Sequence, residues 1–212
     1  MTRTGFIYDE LYQWHDTGNY AGFLVPVYPL QPGLHNEHPE TKRRMKNLLE
    51  ASGFIKNLVE IAPRAATEEE LLRFHTRDYL KRVKEMSDGA GGEAGELTQV
   101  SRGSYEIAAL STGGVIEAVD AVVDGKCENA YALVRPPGHH ADADAGRGFC
   151  IFGNLVIAAH HALEVKGLSR IAVVDWDVHH GNGTETAFWE DPRVLTISVH
   201  QDGWYPQGRG LV

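Results

Sequence analysis

The sequence has only two cysteines, no long apolar run and no excess of basic residues. Cys127 and Cys150 lie outside any CxxC spacing, which argues against a disulfide framework and favours a reducing compartment. No stretch approaches the ~20 apolar residues of a membrane-spanning helix, and the N-terminus lacks the apolar segment of a signal peptide. The formal charge of −9 argues against a general nucleic-acid binder. We therefore expect a cytoplasmic protein that binds neither nucleic acid nor a membrane.

The 212 residues suffice for one domain, and their second half alternates β-branched apolar runs with helical segments. The predicted strands are "YALVRP" (131–136), "RIAVVDWD" (170–177) and "RVLTISVH" (193–200). Helices are predicted at 39–53, at 67–75 with a continuation over 76–86, and at 104–123, 154–167 and 183–192. The alternation predicts an α/β fold with a mainly parallel sheet covered on both faces. Ligands of such sheets bind beyond the carboxyl ends of the strands, so we expect the site there.

The segment "VDWDVHHGNG" (174–183) carries the sharpest signal for a metal site. Asp175, Asp177 and His179 alternate along a predicted strand end, so their side chains point to one side if the strand continues. A carboxylate at the end of a buried strand is costly unless a metal or hydrogen-bond donors compensate it. Carboxylate oxygen and imidazole nitrogen suit zinc, iron(II) or manganese. The alternative is that Asp175 caps the loop and the histidines pack locally.

Two further histidine pairs receive opposite interpretations. His139 and His140 follow a Pro-Pro-Gly turn in "RPPGHHA". Beside a metal, two imidazoles could act as the base and the acid that activate a bound water, although a pair after such a turn could also be simply exposed. His160 and His161 lie inside a predicted helix, where adjacent side chains point about 100° apart, and are interpreted as structural. Cys150 is interpreted as a small buried residue beside the site.

Four ordered motifs, "RPPGHHA", "GFCIFGN", "VDWDVHHGNGT" and "LTISVH", together resemble the histone deacetylase superfamily. This superfamily includes bacterial histone-deacetylase-like amidohydrolases and acetylpolyamine amidohydrolases. Asn182, where class I enzymes carry Asp, points to the class II-like branch. The resemblance implies a three-layer α/β/α fold of the arginase/deacetylase type and zinc-dependent deacetylation of acetyl-lysine or an acetylpolyamine.

The resemblance also implies roles for residues at the catalytic centre. His139 and His140 look like the tandem histidines that handle the water and the leaving amine. Asp175 would orient His139, and Asn182 would lie beside His140. Zinc would take two protein ligands from this chain, Asp177 and His179. A structural potassium ion would lie, largely on backbone oxygens, at Asp175, Asp177, His179, Ser198 and Val199.

Substrate contacts follow from the same resemblance. Phe149 resembles one wall of the acyl-lysine tunnel, and Tyr205 is expected on the facing wall. Gly148 would offer its carbonyl to the substrate amide. Arg44 resembles the arginine that lines the pocket below the metal, and Glu96 an acid that anchors the substrate backbone. The expected partner is thus a small-molecule or peptide acyl-amine.

The sequence departs from the family after its fourth motif. Family members use a third metal ligand, an Asp, and a Tyr in a late Gly-Gly-Tyr motif, and neither follows "YPQGRGLV". We therefore expect residues 1–212 to be the N-terminal portion of a single deacetylase-like domain, with little or no activity alone. Losing one oxyanion donor typically lowers the rate ~10²–10³-fold.

Two other functions stay open at this point. An arginase-like ureohydrolase with two manganese ions would share the fold group, although it would favour acid-rich "DAHxD" motifs. A non-catalytic fragment that binds acyl-lysine or a partner would also fit the missing Asp and Tyr. Substrate choice would lie in the loops at 15–38 and 87–104, and self-association is kept open.

Overall fold

The structure is a computed structural model that describes residues 3–22 and 24–208. Its α-helices are Glu40–Ala51 (α1), Glu68–Leu71 (α2), Arg77–Asp88 (α3), Ser104–Val123 (α4), Asn154–Glu164 (α5) and Asn182–Phe188 (α6). Its strands are Thr4–Ile7 (β1), Asn19–Tyr20 (β2), Gly33–Leu34 (β3), Leu58–Ile61 (β4), Gly92–Glu93 (β5), Gly95–Glu96 (β6), Gln99–Val100 (β7), Asn129–Ala132 (β8), Gly146–Arg147 (β9), Ile171–Asp175 (β10) and Val194–Ser198 (β11). Two 3-10 helices span Glu10–Trp14 and Phe54–Asn57.

The five longest strands form two parallel sheets. One has the order β4–β1–β8 and the other pairs β10 with β11, with Asp175 opposite Ser198. The predicted α/β class with parallel strands is confirmed. Strand β8 ends at Ala132 and not at residue 136 as predicted, in keeping with Pro136 and Pro137, which have no N–H to donate to a ladder.

Helix starts follow local capping chemistry. The Thr67 side chain accepts from the backbone N–H of Glu70 and the Glu70 side chain accepts from the N–H of Thr67, which closes a capping box at α2. Thr76 caps α3 through the N–H of Tyr79. Because these caps satisfy otherwise unpaired N–H groups, α2 and α3 begin within one residue of the predicted positions.

The core lies between α4, α5 and the loops that lead from β8 into α5. A first cluster of buried apolar residues includes Leu71, Tyr79, Ile116, Phe152 and Ile157. A second cluster joins α5 and α6 to the inner face of the β10–β11 sheet. Helices thus hold the ends of β8 and β10 at fixed positions relative to each other.

The opposite face of the β10–β11 sheet is exposed. Val174, Leu195 and Ile197 are 50%, 59% and 41% exposed, while their neighbours Val173 and Val194 are buried. Parallel sheets are usually covered on both faces, so this face departs from the expected third layer. Among the helices that the structure describes, none is long and apolar enough to cross a membrane.

Candidate active site

Two loops meet beyond the ends of β8 and β10. Gly183, in the first turn of α6, donates its N–H to the carbonyl of His139 at 2.9 Å. A side chain at this glycine would lie 2.3 Å from the carbonyl oxygen of Ala141, so only glycine permits the approach. The approach brings "RPPGHHA" against "DWDVHHGNG", although β8 and β10 belong to different sheets.

The tandem histidines stack on each other and turn their Nδ1 atoms to different partners. Their ring centroids lie 3.9 Å apart. Nδ1 of His139 donates to Oδ2 of Asp175 at 2.8 Å, and Nδ1 of His140 lies 2.8 Å from Oδ1 of Asn182. These are the pairs expected from the sequence. One ring faces a carboxylate and the other a neutral amide.

The surroundings of His140 and of Asp175 lower the pKa of each side chain. Burial, followed by the neighbouring His139 ring, lowers the pKa of His140 to about 3, so this ring is neutral at physiological pH. Burial favours the acid form of Asp175, but the hydrogen bonds from His139 and the backbone of Asp177 outweigh it and lower its pKa. Asp175 is therefore a charged acceptor, which fixes the proton of His139 on Nδ1.

Asp177 and His179 lie together at the mouth of this arrangement. Oδ1 of Asp177 accepts from the backbone N–H of His179 at 2.8 Å and lies 3.1 Å from its Nδ1. Nε2 of His139 lies 3.9 Å from the same oxygen. The donor types suit zinc, but within residues 3–22 and 24–208 no three His, Cys, Asp or Glu side chains form a group that could hold a metal. The residues fit zinc as two ligands of a larger set.

The residues expected at a potassium site share the ends of β10 and β11. Asp175 and Ser198 are register partners, and the N–H of Val199 donates to the carbonyl of Asp175 at 2.8 Å. Ser198 Oγ lies 2.9 Å from Nδ1 of His200. Asp177 and His179 lie two and four residues after Asp175, and the backbone N–H of Asp177 donates to Oδ1 of Asp175 at 3.0 Å.

Gly148, Phe149 and Tyr205 border the tandem histidines. Gly148 and Phe149 both have positive φ, 52° and 72°, and a side chain at Gly148 would lie 2.4 Å from the His140 ring. The Tyr205 ring meets the His140 ring edge-on at 5.0 Å. Burial raises the pKa of Tyr205, which keeps its phenol neutral. Phe149 packs edge-on against His35 at 4.8 Å. We call Gly148, Phe149 and Tyr205 the rim: Gly148 and Tyr205 lie against the His140 ring, and Phe149 follows Gly148 in the chain.

The structure corrects the placement of Arg44. Its side chain is 83% exposed on α1 and reaches only Glu40, at 4.0 Å, because α1 turns this position towards solvent. Arg44 therefore does not line the site. Glu96 lies in β6, half exposed, and pairs with Arg147 of the neighbouring strand β9.

Arg135 is fully buried and lies four residues before His139. No sequence pattern identified it as a functional residue. Arg135 Nε donates to both carboxylate oxygens of Glu37 at 2.9 Å. Its Nη1 donates to the carbonyls of Tyr12 and His15 at 3.1 and 2.6 Å. The pair anchors the N-terminal segment against "RPPGHH". A single Arg before Pro-Pro does not allow the sequence to predict an ion pair with a residue 98 positions away.

The residues interpreted as structural have that role. His161 is buried and lies 2.7 Å from Asp120 of α4, and His160 packs against Phe188 of α6. Cys150 is fully buried below the backbone N–H of His140, and burial raises the pKa of its thiol. His160 and His161 take no part in the arrangement around His139, and Cys150 contacts it only through the backbone N–H of His140.

A family model described as "Histone deacetylase domain" matches residues 35–212. The chain belongs to the histone deacetylase family. Among its relatives, a histone deacetylase-like amidohydrolase of Pseudomonas aeruginosa is 47% identical over 210 residues, which is 97% of this chain and 55% of that protein. A probable deacetylase of Archaeoglobus fulgidus is 41% identical over 80% of this chain and 48% of its own length.

A solved member of the histone deacetylase family has the same architecture. The crystal structure of the HDA15 HD domain superposes with a TM-score of 0.85 at 32% identity. The match covers 97% of this chain and 56% of that one. The chain thus spans about half the length of the relatives it matches.

Proposed function

We propose that this chain carries the acid–base part of a zinc-dependent hydrolase that removes acetyl or related acyl groups from lysine side chains or polyamines. The observation that carries the proposal is the stacked pair of His139 and His140 beside the Asp177 carboxylate. Relatives named amidohydrolase and deacetylase support the reaction class. The net charge of −9 adds weak support for a cationic amine product.

Asp177 and His179 would be two protein ligands of the zinc, which, when bound, polarises an amide carbonyl and makes water more acidic. Catalytic zinc sites in proteins use three such ligands. We therefore propose that the 212-residue chain alone binds zinc weakly and shows little or no turnover. A structural potassium ion at the ends of β10 and β11 is part of the same proposal.

The two histidines would divide the proton transfers according to their partners. The Asp175 carboxylate stabilises an added proton on His139, since the ring then donates to a charged acceptor. His140 faces the neutral amide of Asn182 and is buried, and both features disfavour a positive charge on its ring. We assign the neutral state to His140.

The rim would receive the substrate. The Gly148 carbonyl would accept from the substrate amide N–H, and the rings of Phe149 and Tyr205 would line the methylene stem. Glu96, half exposed at the edge, would take the substrate backbone. These contacts favour an uncharged acyl-amide on a straight aliphatic chain.

A hybrid protein tests this function. Residues 1–212 would be joined to the part of the Pseudomonas relative that follows the matched region. We expect hydrolysis of an acetyl-lysine amide that a chelator abolishes, a loss of activity in His140→Ala, and about one zinc per chain. A folded, zinc-loaded hybrid without amide hydrolysis would contradict the proposal, and two manganese ions with guanidine hydrolysis would favour the arginase-like alternative.

For the 212-residue chain by itself, a non-catalytic role is the second candidate. The observation that favours it is the lack of a three-residue metal group within the described part of the chain. Binding of an acyl-lysine peptide to this chain, without turnover and without zinc, would support it.

A further inference from the structure

The loop after the tandem histidines holds a carboxylate and a guanidinium that the proposed reaction does not use. Asp142 lies two residues after His140, and Arg147 lies in β9. Nε of Arg147 donates to Oδ2 of Asp142 at 3.1 Å, and its Nη1 donates to Glu96. The Asp142 side chain is 16% exposed. Arg147 thus holds one oxygen of Asp142 in place and leaves the other oxygen free to accept.

That other oxygen faces the side-chain amide of Asn182. Nδ2 of Asn182 donates to Oδ1 of Asp142 at 3.3 Å and to the carbonyl of His140 at 3.1 Å. A primary amide has two N–H groups, so both now have an acceptor. The amide oxygen must then point the opposite way, where it lies 2.8 Å from Nδ1 of His140.

Reversal of this amide would be unfavourable at three contacts. The amide oxygen would face the Asp142 carboxylate and the His140 carbonyl, which are both acceptors. An amide N–H would face Nδ1 of His140, which could accept it only with its proton on Nε2. The present orientation instead requires a proton on Nδ1 and leaves the lone pair on Nε2.

We propose that Asp142, held by Arg147, is a positioning residue that selects the Nδ1–H tautomer of His140 through the amide of Asn182. Asn182 is fully buried and His140 is 3% exposed, so water does not replace these contacts. The hydrogen bond to the Asp142 carboxylate is charge-assisted and therefore stronger than one to a neutral acceptor. The catalytic meaning rests on the proposed function, in which His140 acts as a neutral imidazole with its lone pair on Nε2.

The tautomer can be measured on the 212-residue chain labelled with ¹⁵N-histidine, without metal or substrate. Long-range ¹H–¹⁵N correlation spectra distinguish the two neutral tautomers, and His140→Gln identifies the resonances of His140. We expect the Nδ1–H pattern in the wild type. In Asp142→Ala and in Arg147→Met we expect this single pattern to be lost, with Nε2–H cross-peaks appearing beside it. Asp144→Asn removes an exposed carboxylate from the same loop and is expected to leave the pattern unchanged.

Two results would overturn the inference. One is an Nε2–H pattern for His140 in the wild type, which needs no variant. The other is the unaltered Nδ1–H pattern in either Asp142→Ala or Arg147→Met when its amide spectrum shows a folded chain. The proposed function fails in a different experiment, in which the hybrid protein shows no zinc-dependent hydrolysis. A wrong tautomer and a wrong function are therefore distinguishable.

Discussion

At the scale of single residues, His139 and His140 differ in what lies behind each ring. The charged Asp175 accepts a hydrogen bond from Nδ1 of His139, whereas the neutral amide oxygen of Asn182 accepts one from Nδ1 of His140. A carboxylate stabilises an imidazolium far better than an amide does. We therefore expect these adjacent residues of one type to have separate tasks, set by their partners across the loop.

The substitution Asp175→Asn tests this division in the hybrid protein. The asparagine can turn its NH₂ group towards Nδ1 of His139, which permits the wrong tautomer and removes the charge that stabilises the imidazolium. We expect kcat to fall by ~10²–10⁴-fold, the usual contribution of one acid–base group. Steady-state kinetics would measure it. Asp202→Asn, exposed beyond β11, is the control, and equal losses in both variants would contradict the assignment.

The buried Arg135 allows a stability prediction at the same scale. Arg135→Met would leave the buried Glu37 carboxylate with Lys42 alone, 3.8 Å away, and removing one member of a buried pair costs about 3–5 kcal/mol in the free energy of unfolding. Urea denaturation would measure it. Arg193→Met, in an exposed pair with Asp191, should cost at most ~1 kcal/mol. A smaller loss for Arg135→Met than for this control would show that the pair does not hold the N-terminal segment.

At the scale of elements, the sequence predicted the helix starts, which nearby capping residues determine. Helices α2, α3 and α4 begin within one residue of their predicted starts, where a threonine caps α2 and α3, and α4 ends at the predicted residue. The existence of β8, β10 and β11 followed from their apolar runs, although each strand ends before its predicted last residue, and the pairing of His139 with Asp175 and of His140 with Asn182 followed from the family motifs. Arg44 was misplaced because its motif specifies a position on α1 but not which way that position faces. The networks around Arg135 and Asp142 join residues far apart in the chain, which no local pattern encodes.

The turn between α2 and α3 contains a titratable group with a defined effect on stability. His75 is buried, its Nε2 accepts from the N–H of Gly153, and its Nδ1 lies 3.2 Å from the carbonyl of Ala143. Burial lowers the pKa of His75 to about 4, against about 6.5 in an unfolded chain. Below pH 6.5 the unfolded chain therefore binds a proton that the folded chain does not. Stability should fall as the pH drops from 6.5 towards 4.

The substitution His75→Gln isolates this effect, since glutamine can accept from Gly153 and donate to Ala143 without titrating. Between pH 7 and pH 5 we expect the wild type to lose about 2 kcal/mol more free energy of unfolding than the variant. Urea titrations at both pH values would measure it. The neighbouring Phe74→Leu should shift stability equally at both. An unchanged pH dependence in His75→Gln would mean that His75 gains its proton without unfolding.

At the scale of the whole molecule, the exposed face of the β10–β11 sheet is the largest departure from a covered α/β fold. Val174, Leu195 and Ile197 share this face, and Trp176 follows at the strand end with 81% exposure. The other face of the same strands packs against α5 and α6. Contiguous apolar surface of this kind is a site of association or aggregation.

We therefore expect the purified chain to self-associate through this face. The average mass from sedimentation should rise with protein concentration. Leu195→Thr with Ile197→Thr should reduce that rise, because threonine keeps strand propensity while removing apolar area. Met45→Thr with Leu48→Thr, exposed apolar positions on α1, is the matched control and should leave the association intact. A constant monomer mass in the wild type, or association lost only in the α1 variant, would mean that the sheet face is not the surface that drives association.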